Sequence, residues 1–182
     1  NVSTPSYAGS HMEGFHAAVL ALADQLASDA RPTDAVNVFP GFISPADIRH
    51  LKDIFEHFGL SATILPDYSE TLDGPSWDEY HRLPEGGTPV ERIASSANSV
   101  ATLQLGRSLH AGGGDWLEET FGIPCRRLGL PIGLRETDAL FDALSELSGC
   151  PLPPRHALER GRLLDSYVDG HKYLFGKRAV VY

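Results

Sequence analysis

A serine- and histidine-rich segment at residues 3–15 (STPSYAGSHMEGF) carries the side chains of this sequence that are best suited to chemistry. Its Ser6, Ser10 and His11 could provide a nucleophilic hydroxyl with a base beside it. A catalytic serine of this kind sits on a strained turn between a strand and a helix, and the GxSxG pattern of that turn is absent. Ser10 directly precedes an apolar pattern with helical spacing, so a helix cap is the favoured interpretation.

Two other clusters suggest ligand chemistry but lack the pattern that it requires. Residues 112–114 are three glycines, yet no Lys-Ser/Thr follows them and no GxGxxG is present, so we interpret them as a flexible helix entry. On a helix, Asp165 and Asp169 share a face, whereas His171 lies about 200° from Asp169. We therefore expect these aspartates to be solvated or paired with Arg162, and not to bind a metal ion.

Length, charge and cysteine content restrict the class of protein. The 182 residues carry a net charge of -9 with scattered Lys and Arg, which argues against nucleic-acid binding. No apolar run approaches the roughly 18 residues of a membrane span, and no signal peptide is visible, so we expect a cytoplasmic protein. The two cysteines, Cys125 and Cys150, lack CxxC spacing and predict no self-contained metal or iron–sulfur site.

Short apolar strands alternate with amphipathic helices along the sequence. Strands are predicted at residues 36–39, 62–65, 100–105 and 125–128, with helices at residues 13–28 and between and after the strands, two of them capped by Ser44 and Thr88. This alternation predicts an α/β fold: a small Rossmann-like domain whose four-stranded parallel sheet is flanked by helices. Ligands of such sheets favour the carboxyl ends of the strands at the switch point, here residues 39–41 and 105–106.

A long polar loop at residues 66–87 is typical of a functional or interfacial segment. The sequence also looks like a piece of a longer polypeptide, because it begins without Met and ends on an apolar run at residues 177–182 that predicts a strand. A glycine inside a helix costs about 1 kcal/mol relative to alanine, so Gly161 predicts the close approach of another backbone, a candidate subunit contact.

We divide the chain into three segments. Residues 1–30 form an entry loop and helix that link from a preceding domain, and residues 31–150 form the Rossmann-like middle domain. Residues 151–182 form a long connecting helix and the first strand of the next domain. This division remains a hypothesis about a larger protein.

The order of motifs along nearly the whole chain resembles the β subunit of the nitrogenase catalytic component. The matching motifs are TPSYAGSHMEGF (4–15), VNVFPGF (36–42), LDGP (72–75), EY (79–80), PEGGT (84–88), PIGL (131–134), TD (137–138), SELSG (145–149), ERGRLLD (159–165), His171 and GKR (176–178). Those at residues 72–88 look most like the iron-only and vanadium branches. The segment RSLHAGGGD at residues 107–115 departs from the family pattern, which leaves the branch open, as does a nitrogenase-like reductase.

The resemblance implies an oxidoreductase subunit of three Rossmann-like domains in an α2β2 heterotetramer. An ATP-driven iron protein would deliver electrons through an iron–sulfur P-cluster (8Fe-7S), shared with the α subunit, to an active-site metal cofactor held by α. A small additional subunit is an open further partner. The substrate would be dinitrogen or a related molecule, such as a methylthio-alkane or a tetrapyrrole ring. The family's cysteine ligands in β lie upstream, and neither Cys125 nor Cys150 matches them.

One ligand position of the family does fall within the chain. The serine of the TPS motif binds a P-cluster iron through its oxygen when the cluster is oxidised, and Ser6 occupies that position. Tyr7 and His11 follow the motif as supporting neighbours, and no catalytic residue is implied. A scaffold on which the nitrogenase cofactor is assembled stays open as an alternative, although that family typically carries Asp in place of Ser6. A free-standing ligand-binding α/β module is a third hypothesis.

Overall fold

The structure is a computed structural model, and it describes residues 9–28, 32–82, 85–106 and 112–181. The chain forms two compact units, residues 1–130 and residues 131–182, which are described in turn. No helix in these described ranges is both long enough and apolar enough to cross a membrane.

The first unit is built on a four-stranded sheet. Its strands are β1 (Val36–Phe39), β2 (Ala62–Ile64), β3 (Ala101–Leu105) and β4 (Cys125–Leu128), in the order β2-β1-β3-β4. Every pairing is parallel. The central strands β1 and β3 are buried along their whole length, as parallel strands covered on both faces require. The predicted four-stranded parallel α/β sheet is confirmed.

Four helices accompany this sheet: α1 (His11–Leu26), α2 (Pro45–His57), α3 (Val90–Ala94) with a 3₁₀ turn at Ser95–Asn98, and α4 (Gly113–Phe121). The predicted cap of α2 is confirmed, because the Asp47 N–H donates to Ser44 Oγ at 3.1 Å. The apolar stripe of α2 is buried, namely Ile48, Leu51, Ile54 and Phe55. Helix α1 begins two residues before its predicted start, since Ser10 caps it.

Helix α1 packs against α3 and α4 over one end of the sheet. A core cluster joins these elements: Val19, Ala23, Phe39, Leu65, Ile93, Leu117 and Ile123. Phe15, Trp116 and Phe121 pack against its periphery. Helix α1 is therefore attached to the same core as the ends of β1 and β2.

The second unit is a helical pair, α5 (Gly133–Ser148) and α6 (Pro154–Leu174). The rings of Phe141 and His156 lie 5.0 Å apart between these helices. The Arg160 guanidinium binds both carboxylate oxygens of Asp138, at 2.7 and 2.9 Å. This ion pair joins the TD motif (137–138) to the ERGRLLD motif (159–165), and its two residues are 22 positions apart in the sequence.

Of two local predictions, one stays a prediction and one is wrong. Residues 177–181 are not in a strand, and Val180 and Val181 are 87% and 95% exposed. The strand of the next domain stays a prediction, because a strand forms only where a neighbouring strand pairs with it. Thr88 does not cap α3: its hydroxyl donates to the Ile64 carbonyl at 2.6 Å, and Pro89 takes the cap position without a side-chain hydrogen bond.

Candidate functional site

The carboxyl edge of the sheet contains the predicted switch point. Strands β1 and β3 lie side by side there, with β2 on one flank and β4 on the other. Gly41 follows β1 with φ +76°, and a Cβ at this position would lie 3.7 Å from the Leu105 carbonyl oxygen. The distance is an ordinary van der Waals contact, so it is the left-handed conformation that favours glycine here. The turn brings the next residue, Phe42, out at the edge.

An aromatic group surrounds Phe42, and we call Phe42, His11, Phe15 and Tyr68 the Phe42 cluster. The centroid of the Phe42 ring lies 5.3 Å from that of Phe15, in an edge-on arrangement. It lies 6.3 Å from the ring centroids of both His11 and Tyr68. Phe42 remains 56% exposed, which is unusual for a residue with three aromatic neighbours. The cluster thus joins the start of α1 to the ends of β1 and β2 and leaves one aromatic face open.

Hydrogen bonds fix the base of this cluster. The Tyr68 hydroxyl donates to the Ile43 carbonyl at 2.6 Å and accepts from the Ile43 N–H at 3.0 Å. Burial raises the pKa of Tyr68, so its hydroxyl stays protonated and can make both bonds.

His16 is a further imidazole near this edge. Burial lowers the pKa of His16, whose Cε1 lies 3.9 Å from the Cβ position of Gly41. At neutral pH the neutral imidazole is therefore favoured.

The start of α1 carries a complete capping box. The Ser10 N–H donates to Glu13 Oε2 at 2.5 Å, and the Glu13 N–H donates to Ser10 Oγ at 3.3 Å. The hydrogen bond from the Ser10 backbone lowers the pKa of Glu13. A Cβ on Gly9 would lie 2.6 Å from Glu13 Oε2, so the carboxylate rests against the Gly9 backbone. The interpretation of Ser10 as a helix cap is confirmed.

Of the predicted site residues, the structure describes His11 and does not describe the other two. Ser6 and Tyr7 lie outside the described residues. His11 is the first residue of α1 and contacts the Phe42 ring. Sequence reasoning missed Phe42, Tyr68 and His16 as members of this edge. Phe42 follows strand β1 and Tyr68 follows strand β2. This shared position just after a strand is the feature of the sequence that could have predicted that both lie at the carboxyl edge.

The three glycines at residues 112–114 have a packing role instead of the flexible entry that we predicted. A Cβ on Gly113 would lie 2.6 Å from Phe39 Cε1, and one on Gly114 would lie 2.8 Å from both Cys125 Sγ and Gln104 Oε1. Only hydrogen at these positions lets the first turn of α4 rest on β1, β3 and β4.

Two of the backbone N–H groups at this helix start have side-chain partners within the chain. The Gly114 N–H donates to Gln104 Oε1 at 2.9 Å, and the Gly112 N–H donates to Asp115 Oδ2 at 2.7 Å. Burial raises the pKa of Asp115, but hydrogen bonds from Gln104, Gly112 and Arg127 outweigh it and lower the pKa overall. A carboxylate thus stands where a phosphate would bind, which agrees with the absence of a phosphate-loop motif.

The long polar loop, residues 66–88, is fastened at its base. Lys52 Nζ donates to Ser69 Oγ and pairs with Asp67, both at 2.7 Å. Arg49 binds both oxygens of Asp73, at 2.7 and 3.0 Å, and also the Ser69 carbonyl. The Asp67 N–H donates to Thr88 Oγ1 at 3.0 Å and closes the loop.

The outer part of this loop displays aromatic side chains. Trp77 and Tyr80 are 47% and 87% exposed, and the Trp77 ring meets His81 edge-on at 5.9 Å. An open, acidic cleft of about 570 Å³ lies here, bordered by Glu70, Trp77 and Asp78 among others. The predicted role of the loop as an interfacial segment stays a prediction.

Neither cysteine has the surroundings of a metal ligand. Burial raises the pKa of Cys125 to about 11, so the thiol stays protonated on β4, and Cys150 is exposed. The part of the chain that the structure describes contains no group of three or more His, Cys, Asp or Glu side chains that could hold a metal ion.

Asp165 and Asp169 of α6 are exposed, which confirms the first of the two predicted alternatives, that they are solvated. The alternative pairing with Arg162 is not seen among the described residues: Arg162 pairs with Glu159, and Asp169 lies 3.7 Å from Lys172. Apart from its chain neighbours and the backbone of its own helix, no heavy atom of the described chain lies within 4 Å of a Cβ placed on Gly161. The predicted close backbone approach at Gly161 is therefore absent among the residues described, and a subunit contact there stays a hypothesis.

Comparison with known proteins identifies the family. The family model described as "Nitrogenase component 1 type Oxidoreductase" matches residues 1–182, the whole chain. The chain belongs to this family. The resemblance that the motifs predicted is confirmed.

This nitrogenase component 1 family member has similar relatives among the β chains of both molybdenum-iron and vanadium-iron proteins. The chain is 38% identical over 182 residues to the nitrogenase molybdenum-iron protein β chain of Clostridium pasteurianum, covering 100% of this chain and 40% of that one. It is 35% identical to the vanadium-iron protein β chain of Trichormus variabilis, covering 100% and 39%. These similar identities do not separate the branches.

A cofactor-assembly protein and a solved structure also match. The chain is 31% identical over 186 residues to the iron-molybdenum cofactor biosynthesis protein NifN of Bradyrhizobium diazoefficiens, covering 99% of this chain and 39% of that one. The solved structure of nitrogenase Cp1 at pH 6.5 superposes with a TM-score of 0.90 and 40% identity over 96% of this chain and 38% of that chain. The chain thus spans about two fifths of the length of the relatives that it matches.

Proposed function

We propose that this chain is part of the β subunit of a nitrogenase or nitrogenase-like reductase. In this role it frames the P-cluster through Ser6, docks against the α subunit and supports electron transfer to the cofactor that α holds. The chain itself would break and form no bonds of the substrate. The observation that carries the proposal is its 38% identity to a nitrogenase β chain along all 182 residues.

The local geometry supports a site at the carboxyl edge of the sheet. The segment that contains Ser6 runs directly into α1, and the first residue of α1 contacts Phe42 at that edge. Ligands of open α/β sheets bind outside the carboxyl ends of the strands, next to the switch point. The capping box and the Phe42 cluster would hold the chain that enters this region.

The donor set of the chain fits a single oxygen ligand to a cluster held mainly by other residues. The Cys125 thiol is protonated and packed on Gly114, so it is unsuited to bind iron. Among the residues put forward here, Ser6 alone would contribute directly. When bound, the P-cluster would supply the irons and the change of oxidation state. Ser6 would supply a hard alkoxide oxygen that suits the more oxidised iron, and its proton would leave to solvent.

The proposed partners follow from the same assignment. They are an α subunit, a second β subunit in an α2β2 complex and an ATP-dependent iron protein, in the cytoplasm, with a small additional subunit left open. The substrate would be dinitrogen or a related small molecule such as a methylthio-alkane. The identities to molybdenum and vanadium chains are within a few per cent of each other, so metal analysis of the purified complex is needed to assign the branch.

An alternative role is the non-catalytic scaffold for cofactor assembly, and the 31% identity to NifN favours it over any unrelated function. Ser6 argues for the catalytic complex, because that scaffold family typically carries Asp at this position.

The deciding experiment uses the intact purified complex that contains this chain, supplied with an iron protein and ATP. We expect reduction of substrate or protons that depends on ATP. Absence of turnover, together with transfer of a metal cluster from the complex to a cluster-free reductase, would establish the scaffold instead.

A further inference from the structure

We propose that the cleft in the 66–88 loop is a docking site for a basic segment of a partner protein, and that one arginine side chain of that segment enters it. We call this feature the loop cleft and define it by Glu70, Trp77, Asp78, Glu79 and Glu85, all of which the structure describes. The loop cleft lies within the first unit. The proposal depends neither on Ser6 nor on a bound cluster.

The charge of the loop cleft selects the kind of partner. Glu70, Asp78, Glu79 and Glu85 contribute four carboxylates to its lining, and the described residues that line it include no Lys or Arg. In the part of the chain that the structure describes, no side chain forms an ion pair with Asp78, Glu79 or Glu85. Like charges held in one cleft repel each other, and a cation that enters relieves this repulsion. The carboxylates therefore favour a positively charged group.

The Trp77 ring is the second recognition element, independent of the charge. Trp77 is 47% exposed, and its ring meets His81 edge-on, with 5.9 Å between the ring centroids. In the same loop Tyr80 and Leu72 are 87% and 69% exposed. Large apolar side chains displayed together on a surface mark an interaction site. The loop thus combines an apolar contact surface with a cleft of negative charge.

An aromatic face beside carboxylates fits arginine better than other side chains. The face of an indole ring attracts a cation. A guanidinium is planar, so it can stack on that face while its N–H groups bind carboxylates in a bidentate manner, whereas a lysine ammonium is a hydrated point charge. The cleft volume of about 570 Å³ lies within the range of about 300–1,000 Å³ that is usual for ligand sites.

Close packing holds the loop cleft in shape. A Cβ on Gly74 would lie 2.2 Å from the Glu70 carbonyl oxygen, and a Cβ on Gly86 would lie 3.0 Å from Glu70 Cβ. Two distant parts of the loop therefore meet at Glu70, on the wall of the cleft. The neighbouring Ser69 carbonyl accepts a hydrogen bond from Arg49 of α2. A site that is formed before its partner arrives loses less conformational entropy on binding.

The test uses the intact purified protein that contains this chain and two fluorescein-labelled peptides. One peptide has the sequence Gly-Gly-Arg-Gly-Arg-Gly-Gly, and the other carries citrulline in place of both arginines. Citrulline keeps the shape of arginine but has a neutral urea where arginine has its guanidinium. Fluorescence anisotropy measures the dissociation constant of each peptide at an ionic strength of about 0.01 M, where the screening length is about 30 Å.

We expect wild type to bind the arginine peptide at least about tenfold more tightly than the citrulline peptide. The double variant Asp78→Asn with Glu79→Gln should weaken binding of the arginine peptide about tenfold. The control is Asp142→Asn with Glu119→Gln, which makes the same change of net charge at two exposed residues outside the cleft. This control should leave the dissociation constant within about twofold of wild type.

The contribution of the ring is measured by two further variants. Trp77→Leu keeps apolar bulk but removes the aromatic face, and we expect it to weaken binding of the arginine peptide about fivefold. Trp77→Phe keeps an aromatic face and should retain more affinity than Trp77→Leu. Equal losses in the two variants would show that the ring acts through apolar packing and would contradict the stacking of a guanidinium.

Three results would overturn the proposal. Equal affinity for the arginine and citrulline peptides would show that the cleft does not select a cation. An equal effect of the control pair Asp142→Asn with Glu119→Gln would show that net charge, and not the cleft, governs binding. Absence of binding by the arginine peptide would also overturn it, and hydroxyl-radical footprinting of Trp77 would then show whether another part of the same assembly already covers the cleft.

Discussion

At the scale of single residues, close contacts decide which side chains the chain can carry. The first turn of α4 rests on Phe39, Gln104 and Cys125 at distances that exclude even a methyl group. Gly161, in contrast, lies in a helix where no described heavy atom is within 4 Å of an added Cβ. Packing therefore explains the glycines at the start of α4, whereas no contact in the described chain explains Gly161.

This contrast predicts opposite effects of alanine. Gly114→Ala should lower the free energy of unfolding by about 1–3 kcal/mol, because its Cβ would lie 2.8 Å from Cys125 Sγ and Gln104 Oε1 in a packed interior. Gly161→Ala, the matched control, should raise it by up to about 1 kcal/mol. Chemical denaturation of the full-length protein measures both. A neutral Gly114→Ala would contradict the packing, and loss of assembly in Gly161→Ala would reveal another chain against that glycine.

At the scale of elements, α2 fastens the 66–88 loop with two basic side chains. The hydrogen bond from Arg49 lowers the pKa of Asp73. Burial raises the pKa of Asp67, but hydrogen bonds from Lys52 and Ser69 outweigh it and lower the pKa overall. Both carboxylates are thus more stable ionised in the folded protein than in the unfolded chain. Their contribution is present above the ordinary aspartate pKa of about 3.9 and is lost as the pH falls through the lowered values.

Arg49→Ala should release this loop. We expect proteolytic cleavage within residues 74–82 to become several-fold faster, because Asp73 and the Ser69 carbonyl both lose their partner. Arg92→Ala is the control, since among the described residues the Arg92 side chain makes a long contact of 3.4 Å to Ser61 Oγ and no ion pair with the loop. The difference between Arg49→Ala and wild type should persist down to about pH 4 and vanish at lower pH, where Asp73 is protonated. Equal cleavage rates at neutral pH would show that Arg49 does not hold the loop.

The elements also show which features a sequence can predict. The cap and buried stripe of α2 follow from local spacing, because Ser44, Pro45 and Ile48 act within two turns of one helix. The partner of Arg160 lies 22 positions away along the sequence, and the aromatic partners of Phe42 lie 26 or more positions away. A local sequence pattern cannot predict partners at such separations. Thr88 matches a cap pattern but bonds to a strand end instead. The strand predicted at residues 177–182 stays a prediction, because a strand depends on a neighbour and not on its own sequence alone.

At the scale of the whole molecule, sequence motifs and architecture agree. Motifs spread over the chain predicted a nitrogenase β-type segment, the family model matches all 182 residues, and the TM-score to nitrogenase Cp1 is 0.90. The short polar pattern TPSYAGSHMEGF was ambiguous by itself, since it suggested a nucleophile beside the favoured helix cap. The order of this pattern among the other motifs, and not its chemistry alone, predicts that Ser6 is the iron ligand and His11 a supporting neighbour.

The proposed binding of a P-cluster iron by Ser6 in the oxidised state is tested most directly by the spectrum of the oxidised cluster in the intact complex. Ser6→Ala should change the electron paramagnetic resonance of the oxidised state and leave the reduced state as in wild type. Ser3→Ala, the same chemical change just before the motif, should change neither. Identical oxidised spectra for wild type and Ser6→Ala would contradict the account.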